Sequence, residues 1–310
     1  MTGKFEHVGV LMGGWSVERE VSLNSGSACA DALESEGYRV TRIDVGRDIV
    51  ERLREVKPDV CFNALHGRWG EDGCAQAILE TLQIPYTHSG VLASALAMHK
   101  ERAKDVMRAA GVPVAEGVVV AGSIAAKAHV MEPPYVVKPV AEGSSVGVFI
   151  VGKGEAKPPA ELASSKWALE QLLVERFIPG RELTCAVMGD DPMGVIEILP
   201  AEGLGFYDFE AKYAPGGSKH VLPAQISPNV YQLVQKLSLA VHQALGCRGV
   251  SRSDFRFDDE SGSDGELVCL EVNTQPGMTT TSLVPELAAH AGRSFGELVR
   301  WIVEDASCDR

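Results

Sequence analysis

Short apolar runs alternate with amphipathic stretches along the first part of the chain. Val8-Gly9-Val10-Leu11-Met12 reads as a strand closing on Gly13-Gly14. Ser16 is placed to cap a helix, and Glu18 and Glu20 put negative charge in its first turn, so a helix is predicted to about Glu36, where Gly37 stops it. Val40 to Val45 and Asp59 to Leu65 are further strands, and strands alternating with helices imply a parallel sheet. Val91 to Ala110 is predicted as one helix carrying Lys100 and Lys104. Beyond it the pattern turns strand-rich: Tyr135–Pro139, Val148–Val151, Leu172–Ile178, Leu183–Met188, Met193–Leu199, Gly249–Phe257 and Leu267–Val272. Helices are expected at Ser227 to Leu245 and Ser294 to Glu304, and Pro200 to His220 has little periodicity. A long irregular stretch inside a compact domain is more often a functional lid than a structural necessity.

Composition narrows the class. The 310 residues are enough for two or three domains, and 45% hydrophobic residues with 32 glycines fit a globular α/β protein. A formal charge of −13 argues against a nucleic-acid or membrane-surface partner, though not against a small anion met by a local cluster. Seven cysteines without C-x-x-C spacing, most of them within apolar runs, read as reduced thiols. There is no signal-peptide pattern at the N-terminus and no apolar stretch of membrane-spanning length, so a soluble, cytoplasmic protein is expected.

The candidate chemistry centres on Cys269 to Leu283. Alternate strand residues share a face, so Glu271 and Asn273 point together, as do Arg252 and Asp254 on the preceding strand. If the strands pair, Asp254, Glu271 and Asn273 converge as an all-oxygen set suited to Mg²⁺ holding nucleotide phosphates; a structural ion network with Arg252 is the competing reading. The hydroxyls and N–H groups of Thr279 to Ser282 can receive a small anion such as a carboxylate. Lys138 ends a strand just before the loop Glu142-Gly143-Ser144-Ser145-Val146-Gly147, which can fold its N–H groups over phosphates. It is not a Walker A loop, and a flexible hairpin with a chance lysine reads equally well in isolation. Glu175 and Arg176 near a strand end can serve an adenine or ribose, or form an ordinary ion pair. Glu18, His66 and Glu71 lie in loops at the carboxyl ends of the first and third strands, where ligands of open α/β sheets collect. The lack of G-x-G-x-x-G disfavours a dinucleotide-binding dehydrogenase.

Six ordered motifs together resemble the D-alanine–D-alanine ligases of the ATP-grasp superfamily. They are Gly13-Gly14-x-Ser-x-Glu-x-Glu-Val-Ser-Leu, His66-Gly67-x-x-Gly-Glu-Asp-Gly, Lys138-Pro-x-x-Glu-Gly-Ser-Ser-Val-Gly, Phe206-Tyr-Asp-x-Glu-Ala-Lys-Tyr, Arg252-x-Asp and Glu271-x-Asn-Thr-x-Pro-Gly-Met-Thr. Gln275 departs from the usual serine, Arg176 from a common lysine, and Ser253 and Phe255 from aliphatic residues. The resemblance implies an α/β, three-domain ATP-grasp architecture: an N-terminal open parallel α/β sheet domain over 1–90, and two α+β domains over 91–179 and 180–310 that clamp the nucleotide. It also implies ATP-dependent joining of two D-alanines through D-alanyl phosphate, with two Mg²⁺ (or Mn²⁺) on Asp254, Glu271 and Asn273. Lys100, Lys138 and Lys212 would bind ATP phosphates, and Glu175, Arg176, Ile178 and Glu182 the adenine and ribose. Arg252 and the N–H of Gly277 would steady the tetrahedral intermediate. Glu18 would fix the first ammonium, His66 would sit near that substrate, and Ser282 and Leu283 would receive the second carboxylate. Ser144 and Tyr213 would join Glu18 in a lid-closing triad. A homodimer is the expected assembly. A ligase with another second substrate, or a regulator that has lost catalysis, are the alternatives; the intact Mg²⁺ ligand set counts against the latter.

Overall fold

The computed structural model describes residues 4–144, 146–200, 217–262, 264–279 and 281–309. The first strands are β1 (His7–Gly13), β2 (Arg39–Val45) and β3 (Val60–Asn63). They form a parallel sheet of order β2-β1-β3, with Val8 opposite Val40 on one side and Val60 on the other. β1 is buried along its whole length, as the apolar run and its central position demand. Between the strands lie α1 (Arg19–Ser35) and α2 (Ile49–Val56), and α3 (Cys74–Leu82) comes after β3.

The single helix expected over 91–110 is two: α4 (Val91–Met98) and α5 (Lys100–Ala109). His99, in extended conformation, separates them, and its ring accepts from the Arg102 N–H at 3.4 Å to cap the second. The Lys100 N–H donates to the Val140 carbonyl at 2.9 Å instead of continuing the first helix. The break places Lys100 and Lys104 on a new axis. Ala103 and Met107 of α5 join the apolar cluster containing Leu183, Val195, Val241 and Phe255.

A four-stranded antiparallel sheet comes next, of order β4-β7-β5-β6, built from β4 (Gly117–Ala121), β5 (Tyr135–Pro139), β6 (Phe149–Val151) and β7 (Gln171–Arg176). Two short helices, α6 (Gly122–Ala125) and α7 (Ser165–Ala168), close its core around Trp167 and Leu162. The five-stranded antiparallel sheet has order β10-β9-β8-β11-β12, from β8 (Arg181–Met188), β9 (Asp191–Pro200), β10 (Ser218–Val221), β11 (Val250–Asp258) and β12 (Glu266–Asn273). β10 corrects the reading of 200–220 as wholly irregular: Ser218 to Val221 pair with β9. A four-residue edge strand without an apolar run leaves little periodicity to detect.

Three helices complete the described chain: α8 (Pro228–Ala244), α9 (Leu283–His290) and α10 (Phe295–Asp305). Ser294 and Glu297 form a reciprocal capping box at the start of α10. α10 packs on α1 and β3, so Leu298, Val299 and Ile302 share one core with Val8, Leu33 and Phe62. Ile196, Ile198 and Leu287 belong to the same cluster, which therefore runs from the parallel sheet into the five-stranded one.

Candidate functional site

The paired strands deliver the acidic cluster as a direct result of register. Asp254 lies opposite Glu271 and Arg252 opposite Asn273 in the β11–β12 ladder, so all four share one face. A bulge between Asp254 and Phe255 bends the strand just beyond this face. Arg252 donates to both Asp254 oxygens at 2.9 and 2.8 Å, and the Thr184 hydroxyl donates to Oδ1 at 2.6 Å. The Lys100 ammonium stands 3.7 Å from Glu271. The Gln275 N–H donates to Asn273 Oδ1 at 2.8 Å and fixes the amide's orientation. An all-oxygen donor set backed by cations suits a hard divalent ion bridging to anionic ligands, so these residues fit Mg²⁺.

Two cavities meet at this face. The first, about 1050 Å³ with the open solvent at its mouth included, is lined by Glu18, His66, Ser144, Arg252, Asn273, Gly277, Ser282 and Leu283, among others. The second, about 820 Å³ on the same measure, is lined by Lys138, Glu175, Arg176, Ile178 and Glu182, among others. Lys100, Glu142, Asp254 and Glu271 line both.

In the first cavity Glu18 precedes α1, and the Ser144 hydroxyl donates to its carboxylate across the two units. Ser144 takes the left-handed conformation (φ 50°), which turns the loop toward Glu18. Gly67, at φ 71°, lies so close that an added Cβ would fall 2.4 Å from a Glu18 oxygen. His66 is buried, with Nδ1 at 3.0 Å from Glu71 and Nε2 at 3.2 Å from the Ser25 hydroxyl, which also accepts from the Met278 N–H at 3.3 Å. Ser282 precedes α9, so Ser282 and Leu283 stand at a helix N-terminus that opens on the cavity. The Ser282 hydroxyl accepts from the Thr279 N–H at 2.9 Å, and an added Cβ on Gly277 would meet it at 3.0 Å.

In the second cavity the carboxylate of Glu175 is not free. Lys138 and Lys104 each bond one of its oxygens, and all three side chains are buried. Burial pushes the Glu175 carboxyl upward, but the two ammoniums outweigh it and hold the group below the ordinary carboxylate range. Burial, and after it the charge of Lys138, pulls the Lys104 ammonium down to about 8. Arg176 turns its guanidinium to Glu266, with Nη1 at 3.1 Å, and the side chain stays half-exposed. Glu182 lies 3.5 Å from Arg256, which also donates to the Ile178 carbonyl at 3.2 Å and holds that strand end in place.

The sequence-predicted residues thus gather on two walls that share a metal-suited face. Lys212 and Tyr213 lie outside the described residues. Sequence reasoning gave no role to Lys104 or Glu142; the four-residue spacing of Lys104 from Lys100, which puts both on one helix face, was the available signal. Among the described residues no helix is long and apolar enough to cross a membrane.

Comparison with known proteins identifies a family. A family model described as D-ala D-ala ligase C-terminus matches residues 106–304, and one described as D-ala D-ala ligase N-terminus matches residues 48–89. A D-alanine–D-alanine ligase of Parvibaculum lavamentivorans is 66% identical over 98% of this chain and 99% of its own length. The structure of a D-alanine–D-alanine ligase from Bacillus anthracis complexed with ATP superposes with TM-score 0.78 at 31% identity, covering 97% of each chain. The VanG D-Ala:D-Ser ligase of Enterococcus faecalis superposes with TM-score 0.77 at 29% identity, covering 97% of this chain and 99% of that one.

Proposed function

The chain belongs to the D-alanine–D-alanine ligase family, and we infer that its two joined cavities divide that family's reaction between them, amino acids in the first and ATP in the second. The protein is an ATP-grasp ligase. It joins two D-alanine molecules through D-alanyl phosphate, releases ADP and phosphate, and provides D-alanyl-D-alanine for peptidoglycan synthesis. The observation that carries the division of labour is the shared wall of Lys100, Glu142, Asp254 and Glu271, where a γ-phosphate from one side meets a carboxylate from the other.

A carboxylate is a poor acyl donor because it has no leaving group, and phosphorylation supplies one. Glu18, held by Ser144, receives the ammonium of the first D-alanine, with His66 beside it, and its carboxylate is thereby aimed at the shared wall. Lys100 and Lys138 meet the phosphates, while Arg176, Ile178 and Glu182 border the adenine and ribose, with Glu175 behind them; the same phosphate role for Lys212, outside the described residues, rests on its motif alone. Asp254, Glu271 and Asn273 would hold Mg²⁺ (with Mn²⁺ as substitute), which would supply neutralisation of phosphate charge. Ser282 and Leu283 offer the N-terminus of α9 to the second carboxylate. The second amine then attacks the acyl carbon, Arg252 and the Gly277 N–H steady the oxyanion, and phosphate departs. The part of Tyr213 beside Glu18 and Ser144 rests on its motif alone, since it lies outside the described residues.

The same reading divides the chain at 1–90, 91–179 and 180–310, makes it a homodimer and places it in the cytoplasm. It takes as partners D-alanine and ATP, and neither nucleic acid nor a membrane. Phosphate release with ATP, Mg²⁺ and D-alanine tests it, with product analysis when D-serine or D-lactate competes as acceptor. Release that requires D-alanine and yields the dipeptide is expected. Preferential mixed product would keep the ATP-grasp chemistry and change the second substrate, and no D-alanine-dependent release would overturn the reading.

A further inference from the structure

Lys104 lines neither of the two joined cavities, yet it carries an ammonium into the driest part of the site. It bonds Glu175 Oε2, while Lys138 bonds Oε1 of the same carboxylate. Of the two lysines only Lys138 reaches the wall of the second cavity. Two cations and one anion packed out of water leave a net positive charge, and only Lys138 can turn it toward a ligand.

We propose that Lys104 is a positioning residue that keeps the Glu175 carboxylate neutralised so that Lys138 can leave it for a nucleotide's phosphates. The proposal rests on the second cavity being the nucleotide site. With Lys104 in place, departure of Lys138 leaves a buried neutral pair. Without Lys104, the same movement strands a buried carboxylate with no counter-ion, which is far costlier than breaking an exposed pair. Lys138 is then held on Glu175 and the nucleotide loses a phosphate contact. Burial first and the charge of Lys138 second lower the proton affinity of Lys104, and the Glu175 carboxylate opposes both.

The test is the affinity of the full chain for ADP with Mg²⁺, measured by calorimetry, alongside KM for ATP and kcat. Lys104→Met weakens ADP binding and raises KM for ATP by about tenfold, within the coupling range of contacting charges, while kcat at saturating ATP stays near its original value. In a Glu175→Gln background the carboxylate no longer needs a counter-ion, and adding Lys104→Met changes ADP affinity by less than about twofold. Lys104→Arg keeps the charge and most of the affinity. Should Lys104→Met not fold, Lys104→Gln, whose amide still donates to Glu175, replaces it in the same cycle. Unchanged ADP affinity in a folded Lys104 variant, or an equal loss with and without the Glu175 carboxylate, overturns the proposal and leaves Lys104 a purely structural partner. An unmodified chain that does not bind ADP with Mg²⁺ overturns the assignment of the cavity itself.

Discussion

Asp254 and Glu271 are directly opposed across the β11–β12 ladder, and the Lys100 ammonium approaches the second while Arg252 grips the first. Two carboxylates at neighbouring positions repel unless cations intervene, which Lys100 and Arg252 do here and which the proposed Mg²⁺ would add to. Asp254→Asn keeps the shape and the Thr184 contact but removes one charge. Turnover is expected to fall by at least about a hundredfold, the loss of several kcal/mol of transition-state charge stabilisation. The far-UV circular dichroism should be unchanged, and ADP affinity should lose most of its Mg²⁺ dependence. Near-normal turnover in the folded variant would sink the metal assignment.

The Ser144 hydroxyl joins the glycine-rich loop to Glu18. A hydrogen bond to a charged group contributes about 1.5–3 kcal/mol, so Ser144→Ala should raise KM for D-alanine by about tenfold or more. ADP affinity, which the proposed function assigns to the other cavity, should stay within about twofold of its starting value. Steady-state kinetics with each substrate varied in turn separates the two. An effect confined to ATP would place the serine's role on the phosphates.

Gln275 is buried and fastens the two ends of the first cavity. Its amide accepts from Asn63 Nδ2 at 2.6 Å and donates to the Leu65 carbonyl, and its backbone N–H orients Asn273. Gln275→Ala leaves the Leu65 carbonyl without this donor and should cost about 1–3 kcal/mol in a urea unfolding series. KM for D-alanine should rise as well, because the loop through His66 loses its anchor. A stability change below about 0.5 kcal/mol would mean that water or a shift of the loop replaces the glutamine.

The Lys104 ammonium, pulled down to about 8, is charged below that pH and neutral above it. It faces Lys138 from β5, Glu175 from β7 and Cys269 from β12. As pH rises through about 8 the three-residue cluster therefore loses its net positive charge. ADP affinity is expected to fall between pH 7.5 and 9.5 by about tenfold, with proton uptake on binding at pH 8.5 visible in buffers of different ionisation enthalpy. The fall should be absent in Lys104→Met. A flat profile in the unmodified chain would show that the charge of Lys104 does not reach the nucleotide.

Much of this site was legible in the chain because its chemistry is carried by period-two strands. Arg252 and Asp254, then Glu271 and Asn273, could be placed on one face from spacing alone, and the ladder puts them there. Glu175 illustrates what spacing does not give. Its position at a strand end is visible in sequence, but the two lysines that grip it come from α5 and β5, and only the tertiary fold brings them together. The break at His99 escaped for a related reason: Val91 to Ala110 is strongly helix-forming throughout, and the Lys100 N–H leaves the first helix to donate to the carbonyl of Val140, forty residues downstream. The core shared by the parallel and five-stranded sheets lay equally beyond pattern reading, since periodicity identifies an apolar face but not its partner.

That shared core has a bearing on how the chain acquires its shape as it is made. α10 covers α1 and β3, the Tyr38 hydroxyl reaches Glu304 at 2.5 Å across 266 residues of sequence, and the Tyr86 N–H pairs with the Ser307 carbonyl at 3.3 Å. During synthesis the parallel sheet emerges early with one apolar flank bare, and it stays bare until α10 has been translated. The four-stranded sheet, whose pairings all fall between Gly117 and Arg176, has no such wait. The order of appearance from the ribosome and the order of completion therefore differ: the parallel sheet starts first and is sealed last.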